Sequence, residues 1–143
     1  MYGPTIRILT TALVLLHFAG NVWHGDAHDT LNISLPDWKT AYVTAVIVIA
    51  PLLGMVLMWT RFETLGAGIV GMSMVGSVLF SVYHHYVLIS IDNVDHLPAG
   101  TAQAHAHFSN SAELIAVSAL AAALAGFYCV GSLVNRRPQK PLG

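Results

Sequence analysis

Four long apolar runs dominate the chain, separated by short polar stretches. They are "IRILTTALVLLHFAGNVW" (6–23), "AYVTAVIVIAPLLGMVLMWT" (41–60), "LGAGIVGMSMVGSVLFSVYHHYVLI" (65–89) and "SAELIAVSALAAALAGFYCVGSLV" (111–134). Each has the length that carries a helix across the hydrocarbon core of a bilayer. Only closed backbone hydrogen bonding survives in lipid, so helix is expected in all four. The pattern predicts an all-α integral membrane protein: one four-helix antiparallel transmembrane bundle over residues 1–143. The connection 62–64 is short, so the second and third spans should be antiparallel neighbours. Pro51 should kink the second span. No small-x-small cleavage site follows the first run, so it reads as a retained span, not a signal peptide.

The polar positions have their own order. His17, Asn21 and His24 fall on one helical face in the first span. His28 joins them if the helix survives Gly25. In the third span Ser73, Ser77 and Ser81 step by four toward His85, with His84 beside that line. Small residues mark packing faces: Ala112, Ala116, Ala119, Ala123 and Gly126 in the fourth span, and Gly68, Gly71 and Gly76 in the third.

Charge orients the bundle. Arg7, Arg61, Arg136, Arg137 and Lys140 fall on one side of a four-span protein, and the loops 24–40 and 90–110 hold only Lys39. The positive-inside rule then places both termini in the cytoplasm of a multi-pass cell-membrane protein. Trp23, Trp38, Tyr42, Tyr83 and Tyr86 suit the outer interface, and Trp59 and Tyr128 the inner one. The chain is 55% hydrophobic and 9% charged, well short of the charge a soluble domain carries, which supports the membrane reading. A net charge of −1 gives no reason to expect nucleic acid. A single cysteine, Cys129, rules out an internal disulfide or a cysteine-rich metal site.

Histidine is the outlier: there are 8, against 6 Lys and Arg together. All fall in or beyond the outer leaflet of the predicted topology. Ionisable groups in membrane helices face inward and pair with one another. His17, His84, His85 and Glu113 are therefore the expected inward set. His24 and His107 are further metal candidates at the mouth, within "HGDAH" (His24, Asp26, His28) and "HAH" (His105, His107). Imidazole with carboxylate suits copper, zinc or iron. A bis-histidine haem b site would pair His17 with His84 or His85. Each residue also has a plainer role. Glu113 could form a capping box with Asn110, one of the paired histidines could anchor at headgroups, and the outer histidines could belong to loops. Met55, Met58, Met72 and Met74 could continue a copper(I) path inward or simply fill the core.

Two functions follow as expectations. The first is a metal- or haem-binding membrane protein in redox or metal-ion handling, with its site in the outer leaflet. The second is a non-catalytic subunit of a larger membrane complex or homo-oligomer, with interfacial histidines. Besides the bilayer, the partners would then be other membrane subunits or further copies of the chain.

Overall fold

A computed structural model describes residues 4–134, and the tail basic residues Arg136, Arg137 and Lys140 lie outside them. Four helices carry the fold: α1 (Pro4–Thr30), α2 (Asp37–Leu57), α3 (Glu63–Val87) and α4 (Ala102–Val134). Each is long and apolar enough to cross a membrane. Large apolar side chains cover the outside, among them Leu9, Leu16, Ile49, Leu79, Val117 and Leu124, as lipid contact requires.

α4 packs along both α3 and α1, and α2 packs mainly on α3. The ring of helices therefore runs α2–α3–α4–α1, and its loosest seam is between α1 and α2. Close approach relies on glycine. A Cβ on Gly66 would lie 2.6 Å from the Gly54 carbonyl oxygen and 2.5 Å from the Met58 nitrogen. A Cβ on Gly126 would lie 2.8 Å from the Gly71 nitrogen. Small residues let the backbones touch where no water drives apolar association. Of the expected packing faces, Ala112, Ala119, Ala123, Gly126 and Gly71 are in contact, while Gly68 faces open space. Gly66→Ala forces backbone against backbone and should cost about 1–3 kcal/mol. Unfolding in mixed micelles checks this, with Gly68→Ala as the neutral comparison.

The core between these helices is built from Val14, Met58, Ala67, Val70, Met74, Ala119, Ala122 and Cys129. Met58 and Met74 are fully buried in this core, whereas Met72 is 65% exposed. At the end far from the histidines, Arg7 pairs with Glu63, and Trp59 Nε1 donates to Thr11 Oγ1.

Two helices run further than their apolar stretches. α1 continues through Gly25 to Thr30, and α4 starts at Ala102, nine residues before the apolar run. The connections shrink to residues 31–36 and 88–101. Both extensions are polar outside but keep an apolar stripe, and Ala27, Leu31, Ile33, Ala104 and Phe108 form a second small core. Just past the end of α1, Asn32 has a left-handed φ of 53°, with Ile33 N–H donating to the His28 carbonyl at 2.9 Å. Thr101 caps α4, its Oγ1 accepting from Ala104 N–H at 3.1 Å. Asn110 is therefore not an N-cap, and the capping box with Glu113 does not form.

Two wide π-helical segments interrupt the spans, Val43–Ile49 and Tyr83–Val87. The first precedes Pro51, which has no N–H for the Ile47 carbonyl. The second closes with Leu88 N–H donating to the Tyr83 carbonyl at 2.7 Å. Such segments often sit at functional sites, and here the second carries His84 and His85.

Candidate metal centre

Two polar layers cross the bundle at the histidine end, one deep and one at the helix termini. The deep layer centres on His17, 1% exposed. Its Nδ1 lies 3.2 Å from Ser118 Oγ and 3.3 Å from the Ile115 carbonyl. The single Ser118 hydroxyl proton goes to the Leu114 carbonyl, 2.6 Å away. Nδ1–H of His17 therefore donates, and its Nε2 accepts from Asn21 Nδ2 at 3.1 Å and Ser77 Oγ at 3.2 Å. The imidazole is neutral and fully satisfied, and it ties α1, α3 and α4 together.

His85 sits eight residues beyond Ser77 on α3, roughly 12 Å further along the axis. His17 is instead bound to Ser118, Asn21 and Ser77, and the group that could hold a metal ion does not include it.

The outer layer is a compact cluster of His24 and His28 on α1, His85 on α3, and Asp92 in the 88–101 connection. His24, His85 and Asp92 offer one ligand atom each within 4.8 Å of one another and could hold a metal ion. His28 Nε2 lies 3.1 Å from His24 Nε2 and 3.2 Å from Asp92 Oδ1. His85 Nδ1 lies 3.4 Å from Asp92 Oδ1. Phe108 packs its ring against all three imidazoles, with centroids 4.6, 5.1 and 5.5 Å away.

Oxygen acceptors fix the tautomer of each ring. Ser111 Oγ gives its own proton to the carbonyl of His107 or Phe108, so it accepts from His24 Nδ1–H at 2.9 Å. His28 Nδ1–H donates to the Ile33 carbonyl at 3.3 Å, and His85 Nδ1–H to the Asp92 carbonyl at 2.9 Å. The left-handed cap that ends α1 thus supplies the acceptor that aims His28. In all three rings Nε2 keeps the lone pair. A ligating histidine is held in this way, with its other ring N–H given to an oxygen.

Asp92 is 3% exposed and is set by a turn in which its N–H donates to Ser90 Oγ. Val94 N–H returns to the His85 carbonyl at 3.0 Å and pins that turn on α3. Lys39 Nζ, itself buried, donates to Asp92 Oδ2 at 3.4 Å. The contacts to Oδ1 are short but poorly directed, and this buried oxygen has no hydrogen-bond partner among the described residues. Burial pushes the Asp92 carboxyl up, but the His28 and His85 rings beside it prevail and hold it well below the usual carboxylate range.

The other candidates lie elsewhere. His84 is buried against Phe80, with Tyr83 and Trp38 beyond. His107 packs on Trp23 and faces Asp26, its Nε2 3.9 Å from that carboxylate. Glu113 is exposed on α4 and does not face inward, because it is two residues, roughly 200°, from the inward Ser111. His105 Nε2–H donates to the Pro98 carbonyl at 2.9 Å, and His96 Nδ1 lies 3.3 Å from Asn93 Oδ1, so both brace the connection. His24 and His85 are thus the sequence candidates that meet. Asp92 was missed, and His28 was placed at the mouth and not within the site. Ser90 and Asn93 flanking Asp92 were the available turn signal.

Beside the cluster is a cavity of about 460 Å³ at the α1–α2 seam, lined on its polar side by Asn21, His24, His28, Ser81, His85 and Asp92. The chain matches no protein-family model, no curated protein and no solved structure.

Proposed function

We propose that this chain is a multi-pass membrane protein that binds one divalent first-row transition metal ion at His24, His85 and Asp92, with His28 as fourth ligand. The observation that carries the reading is the set of facing lone pairs. With the Nδ1–H groups of His24 and His28 given to Ser111 and Ile33, Nε2 of His24, Nε2 of His28 and Oδ1 of Asp92 meet at 3.1 and 3.2 Å with no proton assigned between them. Such a group needs a shared proton or a cation at its centre. Tetrahedral ligands about 2.0–2.1 Å from an ion stand roughly 3.4 Å apart, so these spacings suit one with little movement. Lys39 engages Oδ2, which leaves Asp92 as a one-oxygen ligand. Imidazole and carboxylate favour zinc, copper(II) or iron(II) over a soft ion.

Arg7 and Arg61 lie at the opposite end from the histidines, which supports cytoplasmic termini and an outward-facing site in the cell membrane. An ion held there belongs to redox or metal-handling work.

The test is metal analysis of the full chain in detergent, stripped and reloaded separately with zinc, copper(II) and anaerobic iron(II). One ion per chain is expected, retained in Glu113→Gln and His84→Gln and lost in His24→Ala and His85→Ala. A stripped chain that takes up none of them, or one that binds equally well without His24 and His85, overturns the proposal. In that case stable co-purification with other membrane proteins would favour the accessory-subunit reading.

A further inference from the structure

The cavity beside the cluster has a chemistry of its own. Its polar side includes Ser81, one turn inward from His85, and Asn21, nearly one turn inward from His24. Ser81 is 2% exposed and lines the cavity, yet its hydroxyl has no hydrogen-bond partner among the described residues. This sets it apart from its neighbours on the same stripe: Ser73 donates to the Val70 carbonyl, and Ser77 is bound to His17. Ser81 Oγ is not among the fully buried polar atoms without a partner, so it opens into the cavity, where it can bond an occupant. Asn21 uses its Nδ2 on His17, which leaves the amide oxygen as an acceptor at the same level.

The opposite walls are apolar. Val43 and Ile47 from the π-helical part of α2, Phe80 from α3 and Ile115 from α4 close the space. Its volume is in the ordinary range for small-molecule sites, and its mix of apolar wall and few polar groups is the usual one. It lies at the loosest seam of the bundle. Gly25 sits there on α1, and a Cβ added to it would meet nothing within 4 Å.

We infer that this cavity binds a bilayer-soluble hydroxylated ring of the phenol or quinol class, entering between α1 and α2. A ring hydroxyl can accept from Ser81 Oγ–H and donate to the Asn21 amide oxygen. The ring itself fits against Phe80 and the flat imidazoles, and its alkyl substituents against Val43 and Ile47. The volume suits a ring with short substituents, so a long tail would leave through the seam into lipid. The inference needs the cavity and Ser81, not the ion.

Equilibrium dialysis of the full chain in detergent tests it, with tetramethylhydroquinone as probe, ascorbate to keep it reduced, and EDTA present. Under these conditions failure of the metal proposal leaves the result untouched. Saturable binding of one probe per chain is expected, and tetramethylbenzene, which lacks the hydroxyls, should bind at least tenfold more weakly. Ser81→Ala should weaken the quinol by about three- to tenfold, the contribution of one neutral hydrogen bond. Gly25→Trp fills the mouth and should abolish binding, whereas Gly131→Trp, on open surface at the other end of α4, should not change it. Absence of saturable binding, as expected of a cavity that holds only water, overturns the inference. So does binding that is indifferent to both Gly25→Trp and Ser81→Ala.

Discussion

Asp92→Ala is expected to destabilise the metal-free protein by about 3–5 kcal/mol at neutral pH, the largest loss of any single substitution in the outer layer. The carboxylate is the only acidic group against the buried Lys39 ammonium among the described contacts, and removing it strands that charge. It also removes the carboxylate oxygen that the His28 and His85 rings face at 3.2 and 3.4 Å. Lys39→Met should be much milder alone and should recover most of the loss in the double variant, because the stranded charge is then absent. SDS-driven unfolding in mixed micelles measures all three. Equal losses for Asp92→Ala with and without Lys39 would show that the pair is uncoupled.

The same carboxylate sets an acid limit. Its pKa is lowered in the folded protein, so the folded state binds its proton less readily than the unfolded chain does. Its contribution is fully present above the unfolded value near 3.9 and is lost progressively as pH falls below it toward the folded value. Metal-free wild type should therefore lose stability below about pH 4, and Asp92→Asn should flatten that slope.

The spans were legible because lipid imposes one rule on every residue it touches, and the apolar runs report it directly. The helix ends were not, since "HGDAHDT" and "AQAHAHFSN" are polar by composition and helical only by period. The same period was the better guide to the site. His17, Asn21, His24 and His28 do share a face of α1, and the serine stripe of α3 does lead to His85. Depth alone misled. Glu113 was grouped with the histidines because it lies at their level, although two residues from Ser111 it had to face away. Asp92 could not be read from any helical pattern, because its position depends on a turn, a buried lysine and a carbonyl contact folding together. The question of His84 against His85 resolves by surroundings: both are buried, but one meets aromatic rings and the other meets Asp92.

Metal affinity is expected to fall about 10- to 100-fold in Ser111→Ala, the range for losing a partner that orients a ligand. Ser111 touches no position an ion would take. Its oxygen holds His24 Nδ1–H, and that bond is what keeps the His24 Nε2 lone pair aimed at Asp92 and His28. Without it the ring can turn over or move its proton to Nε2, and either change removes a ligand part of the time. Packing against Phe108 and His85 keeps the imidazole nearby, so full loading should return at high metal concentration. Ser111→Thr keeps the acceptor and should bind as wild type. His24→Ala removes the ligand itself, and excess metal should not restore its occupancy. Competition against a chelator of known affinity, run beside an unfolding titration, separates the two possible roles of the serine. A purely structural Ser111 would lower stability and leave the affinity unchanged, and that result would count against the tautomer argument on which the metal centre is built.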